Sequence, residues 1–145
     1  MSRGLAYVAG PLFDDGERWW IEQVDAVVVE HGFSTFLPHR DNPPKTIDTI
    51  GEIFTTNTDA LDRCDLVVAS LNGVTTDDGT AWELGYASAR SKYLIGLHTD
   101  WRARFADETV NLMLERSLDV LVRSLSDLRR ALDEHNVGDV GDRAD

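Results

Sequence analysis

Short apolar runs alternate with amphipathic stretches along this chain, and that alternation leaves few folds open. The runs are Leu5-Ala6-Tyr7-Val8-Ala9, residues 33–37, Leu66-Val67-Val68-Ala69, Tyr93-Leu94-Ile95-Gly96-Leu97 and Asp119-Val120-Leu121-Val122. The first, third and fourth are continuous rather than alternating; all five read as strands, the first as a buried central one. Between the first two, Asp14-Asp15-Gly16 opens a helix that stops at Gly32, with Trp20, Ile21, Val24, Val27 and Val28 at helical spacing. Residues 47–63 repeat the pattern through Ile50, Ile53, Phe54 and Leu61. Helices are also expected from Ala81 to about Arg90, from Val110 and from Ser126. Strands alternating with helices predict an α/β fold, a five-stranded parallel doubly wound sheet of flavodoxin-like order with helices on both faces.

With 145 residues, 42% of them hydrophobic, the chain is long enough for one cored domain, expected over 1–137 with a flexible polar tail at 138–145. Its 14 Lys+Arg stand against 26 Asp+Glu, a net charge of −12, which argues against a nucleic acid partner. There is no apolar run of membrane-spanning length and no basic-then-apolar leader pattern, so no membrane partner and a cytoplasmic setting are expected. The single cysteine, Cys64, adjoins an apolar run and reads as a buried, inert thiol. The histidines have no metal-ligand spacing, so no metal and no cofactor are expected.

The chemistry is expected at Asp77-Asp78-Gly79-Thr80-Ala81-Trp82-Glu83, which joins the third strand to a helix. Ligands bind outside the carboxyl ends of strands in open α/β sheets. Thr80 and Glu83 have capping-box spacing, which places Glu83 on the first helical turn at the positive end of the dipole. Most such pairs only cap helices. Here the acidic cluster upstream adds a functional reading: an ionised Glu83 as nucleophile, beside an Asp77 raised in pKa by its crowded loop. Three further features admit two readings each. Tyr7 is a core tyrosine or a site hydroxyl. Trp19 and Trp20 divide between core and interface. The proline-stiffened loop 38–44 is a solvated connector or a pocket wall. Asn57 and Asp59 are about 200° apart around a helix and cannot share a site.

These segments together resemble the nucleoside 2-deoxyribosyltransferases. Tyr7-Val8-Ala9-Gly10-Pro11-Leu12-Phe13 is similar to that family's opening strand and loop, residues 77–87 to its catalytic segment, and Val110-Asn111-Leu112-Met113-Leu114 to a segment lent by a neighbouring subunit. The resemblance implies a shared-site homo-oligomer that acts on a nucleoside and a nucleobase. It implies Glu83 as nucleophile, Asp77 as the acid that meets the leaving base, and Tyr7 as the hydroxyl that positions the nucleophile. Gly10, Phe13 and Asp78 are carried over as substrate contacts. Asn111 is carried over as the residue that holds the 5′-hydroxyl in a partner's site, and Met113 as a sugar contact. Asn57 departs from the aspartate of many members; an amide can donate and accept hydrogen bonds but cannot protonate a base.

The activity so implied is transfer of 2-deoxyribose between bases through a glycosyl-glutamate, with net retention. One rival is hydrolysis of deoxynucleosides or nucleoside 5′-monophosphates on the same scaffold. Pro11 and the acidic loop disfavour a phosphorylated substrate, while Thr80 and Ser88 leave some room for one. Another rival is a non-enzymatic flavodoxin-like module. A phospho-receiver would need acids after the first strand and a late lysine, but Gly10-Pro11 follows that strand and no lysine follows Lys92.

Overall fold

The computed structural model describes residues 1–102 and 105–135; the expected tail at 138–145 lies outside the described residues. The elements run β1 (Leu5–Ala9), α1 (Asp15–Glu30), β2 (Ser34–Phe36), α2 (Pro38–Asp41), α3 (Ile50–Arg63), β3 (Leu66–Ser70), α4 (Asp78–Ala89), β4 (Tyr93–Leu97), α5 (Leu112–Ser117), β5 (Val120–Val122) and α6 (Leu125–Glu134). All strand pairs are parallel, in the order β2-β1-β3-β4-β5. This is the expected flavodoxin-like order, with its switch point between β1 and β3.

Strand alternation sorts the core into two layers. Ala6 and Val8 of β1, with Leu66 and Val68 of β3, pack under α1 and α6 against Ile21, Val24, Val28, Leu128 and Leu132. Tyr7 and Ala9, with Val67 and Ala69, face the other way onto Leu61 of α3 and Leu84 and Ala87 of α4. Tyr7 therefore points toward the helices that carry the acidic segment. Two carboxylates tie down the amino ends of the strands: Asp65 Oδ2 accepts from Leu5 N and Asp119 Oδ2 from Leu94 N, each at 2.8 Å. The carboxyl ends are left to the loops that build the site.

Three local expectations need correction. The loop at 38–44 contains the short helix α2, begun by Pro38, whose fixed φ suits a first helical position. Asp41 Oδ2 accepts from Leu37 N at 2.8 Å and closes that turn. α3 begins at Ile50, because Thr49 Oγ1 donates to Pro44 O at 2.8 Å and holds the preceding residues in a turn. α4 begins three residues before the expected Ala81, since Asp77, not Thr80, is its cap. Asp77 Oδ2 accepts from Thr80 N at 2.8 Å and from Thr80 Oγ1 at 3.0 Å, and Thr80 is fully buried. The stronger carboxylate cap thus wins, and Glu83 moves from the first turn to the second.

Leu84 is the largest side chain by which α4 grips the sheet. Truncation to Ala in the fully buried layer should cost about 2–5 kcal/mol in urea unfolding. A loss under about 1 kcal/mol would show that α4 is not anchored there.

Candidate active site

At the carboxyl end of the sheet, a cavity of about 620 Å³ opens between the β1–α1 loop, α2 and its following loop, α3 and the start of α4. Glu83, Asp77, Gly10, Phe13 and Asn57 all line it. An adjoining hollow of about 500 Å³ is lined by Asp78, Gly79, Trp82, Phe54 and Thr58, and shares Asn57 and Glu83 with the main cavity. Six of the residues expected at a site, Glu83 among them, are therefore brought together. Tyr7 stands behind Glu83 as the seventh.

The centre is the Tyr7–Glu83 pair. The Tyr7 ring is fully buried and stacks on Phe36 at 5.3 Å, so its hydroxyl has little freedom. Tyr7 Oη and Glu83 Oε2 are both buried and have no full hydrogen-bond partner. The two groups are near enough that each shifts the other's ionisation. Burial pushes the Glu83 carboxyl up from 4.5 to about 7; the Tyr7 hydroxyl opposes the rise and the charge of Asp77 adds to it. Burial, and then the charge of Glu83, drives the Tyr7 hydroxyl far above its ordinary range, so it stays a proton donor. This reverses the expectation that a first-turn position would keep Glu83 ionised. Away from the helix terminus, desolvation outweighs the dipole.

Asp77 is half-buried. Its Oδ2 is engaged by Thr80, which fixes the carboxylate at the cavity wall. Gly10 lets the chain turn tightly off β1: a Cβ there would lie 2.6 Å from Ile21 Cδ1 and 3.1 Å from Ser70 Cβ. The loop beyond is braced at both ends. Phe13 N donates to Glu17 Oε2 at 2.7 Å, and Arg18 Nη1 donates to Leu12 O at 2.8 Å. This holds the exposed Phe13 ring at the cavity mouth.

Asn111 and Met113 are not brought into the cavity of the single chain. Asn111 caps α5, its side chain accepting from Met113 N at 2.9 Å, and Met113 is exposed. Asp59 is exposed on α3, away from the cavity that Asn57 lines. Trp20 is half-buried, with Nε1 donating to Ser70 Oγ at 3.2 Å, and Trp19 is exposed. Cys64 is buried, and burial pushes its thiol up to about 11, so it is unreactive.

Sequence reasoning left open the role of the proline-rich segment. Pro38, His39, Asn42, Pro43, Pro44 and Lys45 all line the cavity. It missed Arg18 and Ile53, whose helical spacing carries no functional signal, and gave no separate role to Trp82 within the acidic segment. Trp82 stacks on Tyr86 at 5.2 Å and meets Phe54 at 5.7 Å beside the hollow. Asn42 Nδ2 donates to Asn57 Oδ1 at 2.7 Å across the cavity wall. Among the described residues no cluster of His, Cys, Asp or Glu could hold a metal ion, and no helix is long and apolar enough to cross a membrane.

The family model of the nucleoside 2-deoxyribosyltransferases matches residues 6–117. No curated protein matches the chain at a significant level. Among solved structures, a 2-deoxyribosyltransferase from Bacillus psychrosaccharolyticus is similar with a TM-score of 0.75 at 22% identity, over 88% of this chain and 95% of that one. A 2-desoxiribosyltransferase from Leishmania mexicana gives 0.69 at 26%, over 90% and 98%. A CMP N-glycosidase from Clostridium botulinum gives 0.58 at 25%, over 89% and 97%.

The raised Glu83 pKa has a stability consequence. The folded chain keeps this proton between pH 4.5 and about 7, where the unfolded chain releases it. The stability it contributes is therefore present at low pH and lost as pH rises through about 7. Relative to Glu83→Gln, the wild type should lose about 3 kcal/mol of unfolding free energy between pH 4.5 and pH 8. Urea titrations of both proteins across that range measure it; a difference that is flat or grows with pH contradicts the burial of the carboxyl.

Proposed function

The chain belongs to the nucleoside 2-deoxyribosyltransferase family, an enzyme family that acts on nucleosides, and from that premise we propose that it moves 2-deoxyribose between nucleobases. The observation that carries this reading is the buried Glu83 carboxylate between a tyrosine hydroxyl and a second carboxylate, on the wall of a nucleoside-sized cavity.

Cleavage of a C1′–N bond leaves an oxocarbenium-like carbon and an electron-rich base. In this reading a Glu83 carboxylate oxygen attacks C1′. The C1′–N electron pair leaves with the base, and Asp77 supplies the base with a proton. The product is a deoxyribosyl ester of Glu83. An incoming base then attacks C1′ with a ring nitrogen, frees the carboxylate, and returns its proton to Asp77. Two displacements at one carbon retain configuration.

The electrostatics suit this cycle. The charge of Asp77 opposes the ionisation of Glu83. The reactive arrangement is the one with the charge on Glu83 and a proton on Asp77 for the leaving base. Tyr7 steadies the charged form, and burial keeps the nucleophile poorly solvated and basic. Asn111 and Met113, set apart from the chain's own cavity, complete a second subunit's site in a homo-oligomer on this reading.

Hydrolysis on the same scaffold is a second reading, favoured by the likeness to a CMP N-glycosidase and by Arg18 and Lys45 on the cavity wall. Chromatography of a deoxynucleoside with and without an acceptor base distinguishes the two. The expected outcome is a new nucleoside only when acceptor is present, and a mass increment of one deoxyribosyl group on Glu83 when acceptor is absent. Free sugar as the main product in both arms identifies a hydrolase. Turnover by Glu83→Ala at the wild-type rate removes the nucleophile assignment.

A further inference from the structure

We propose that Asn42 is a specificity-determining positioning residue: it locks the Asn57 amide so that the wall beside Glu83 offers a hydrogen-bond donor and selects oxo-substituted bases over amino-substituted ones. This rests on the reading of the cavity as a nucleobase site.

The argument is a chain of donor and acceptor assignments. Asn42 Nδ2 donates to Pro38 O at 2.9 Å and to Asn57 Oδ1 at 2.7 Å. A backbone carbonyl can only accept, so turning the Asn42 amide over would set oxygen against oxygen. The backbone of α2 thereby fixes the orientation of Asn42. The same logic passes to the next side chain. Asn42 meets Asn57 with an N–H, so Asn57 must answer with its oxygen. Both hydrogens of the Asn42 amide are then used. Asn42 holds this arrangement even though its own Oδ1 is buried without a partner.

With its oxygen turned to Asn42 and one lone pair taken, Asn57 directs its Nδ2 hydrogens away from that contact. Among the described residues no acceptor takes them, and Nδ2 is not among the buried, unpartnered atoms. Asn57 lines both the main cavity and the hollow beside Glu83. Arg18 and Lys45, which can only donate, line the main cavity as well. Beside the Asn57 amide, the ligand edge that fits carries acceptors; the carboxylate acceptors of the cavity, Asp77 and Glu83, lie on the α4 side. A 6-oxopurine presents O6 and N7 side by side, and a 4-oxopyrimidine presents O4. The amino analogues would place N–H against N–H.

Calorimetric titration with free bases tests this without relying on turnover. Wild type should bind hypoxanthine about tenfold or more tightly than adenine, and uracil likewise over cytosine. Asn42→Ala leaves the Asn57 amide free to rotate, and should bring each pair within about threefold at unchanged fold. Asn57→Asp replaces the donor by acceptors and should reverse the order, which gives a second reading if Asn42→Ala does not fold. The ratio of kcat/KM for 2′-deoxyinosine and 2′-deoxyadenosine should follow the binding ratio. Equal binding of oxo and amino bases by wild type, a preference that survives in folded Asn42→Ala, or no binding of any of the four bases overturns the proposal. Selective binding without cleavage of any deoxynucleoside would instead remove the transferase reading and leave this one standing.

Discussion

The site depends on one unfavourable act, the burial of a carboxylate. Glu83 is carried by a helix whose neighbouring residues Thr80, Leu84 and Ala87 are buried against the sheet, which fixes where its backbone sits beside the cavity. A buried carboxyl without a full hydrogen-bond partner is costly. The fold tolerates it because Tyr7 faces it from the central strand and because its proton is kept until about pH 7. On the proposed reading, the same poor solvation keeps the carboxylate reactive toward an electron-poor carbon.

The scaffold delivers this by arithmetic of strand and helix periods. Alternation along β1 sends Ala6 and Val8 to one layer and Tyr7 to the other. The switch point leaves the carboxyl ends of β1 and β3 open, and the loops after them supply Gly10, Phe13 and Asp77. The Asp77 cap does two things at once. It starts α4, and it fixes a second carboxylate near enough to raise the pKa of Glu83.

Much of this was legible before any coordinates. All five strands lie where the sequence places them, to within a residue at either end, and three of them, Leu5–Ala9, Leu66–Ser70 and Tyr93–Leu97, are marked by continuous apolar runs. Their parallel order follows from the helices between them. The acidic segment and Gly10-Pro11 pointed to the right end of the sheet. What was not legible depends on competition and distance. Thr80 and Asp77 are both good caps, and only the folded chain shows which one the helix uses. Whether Glu83 is ionised depends on burial by residues far away in sequence, which spacing cannot report. The Asn42–Asn57 contact joins the end of α2 to α3 across 15 residues of sequence, and neither residue type announces it.

The most direct test of the account is a titration of the Glu83 carboxyl itself, by carbon NMR of protein labelled at glutamate side chains, with Glu83→Gln to assign the resonance. The account predicts a midpoint near 7 for the free protein. A midpoint below about 5, in the ordinary range of exposed glutamates, would mean that the side chain is solvated and that the site is not built around a buried carboxyl.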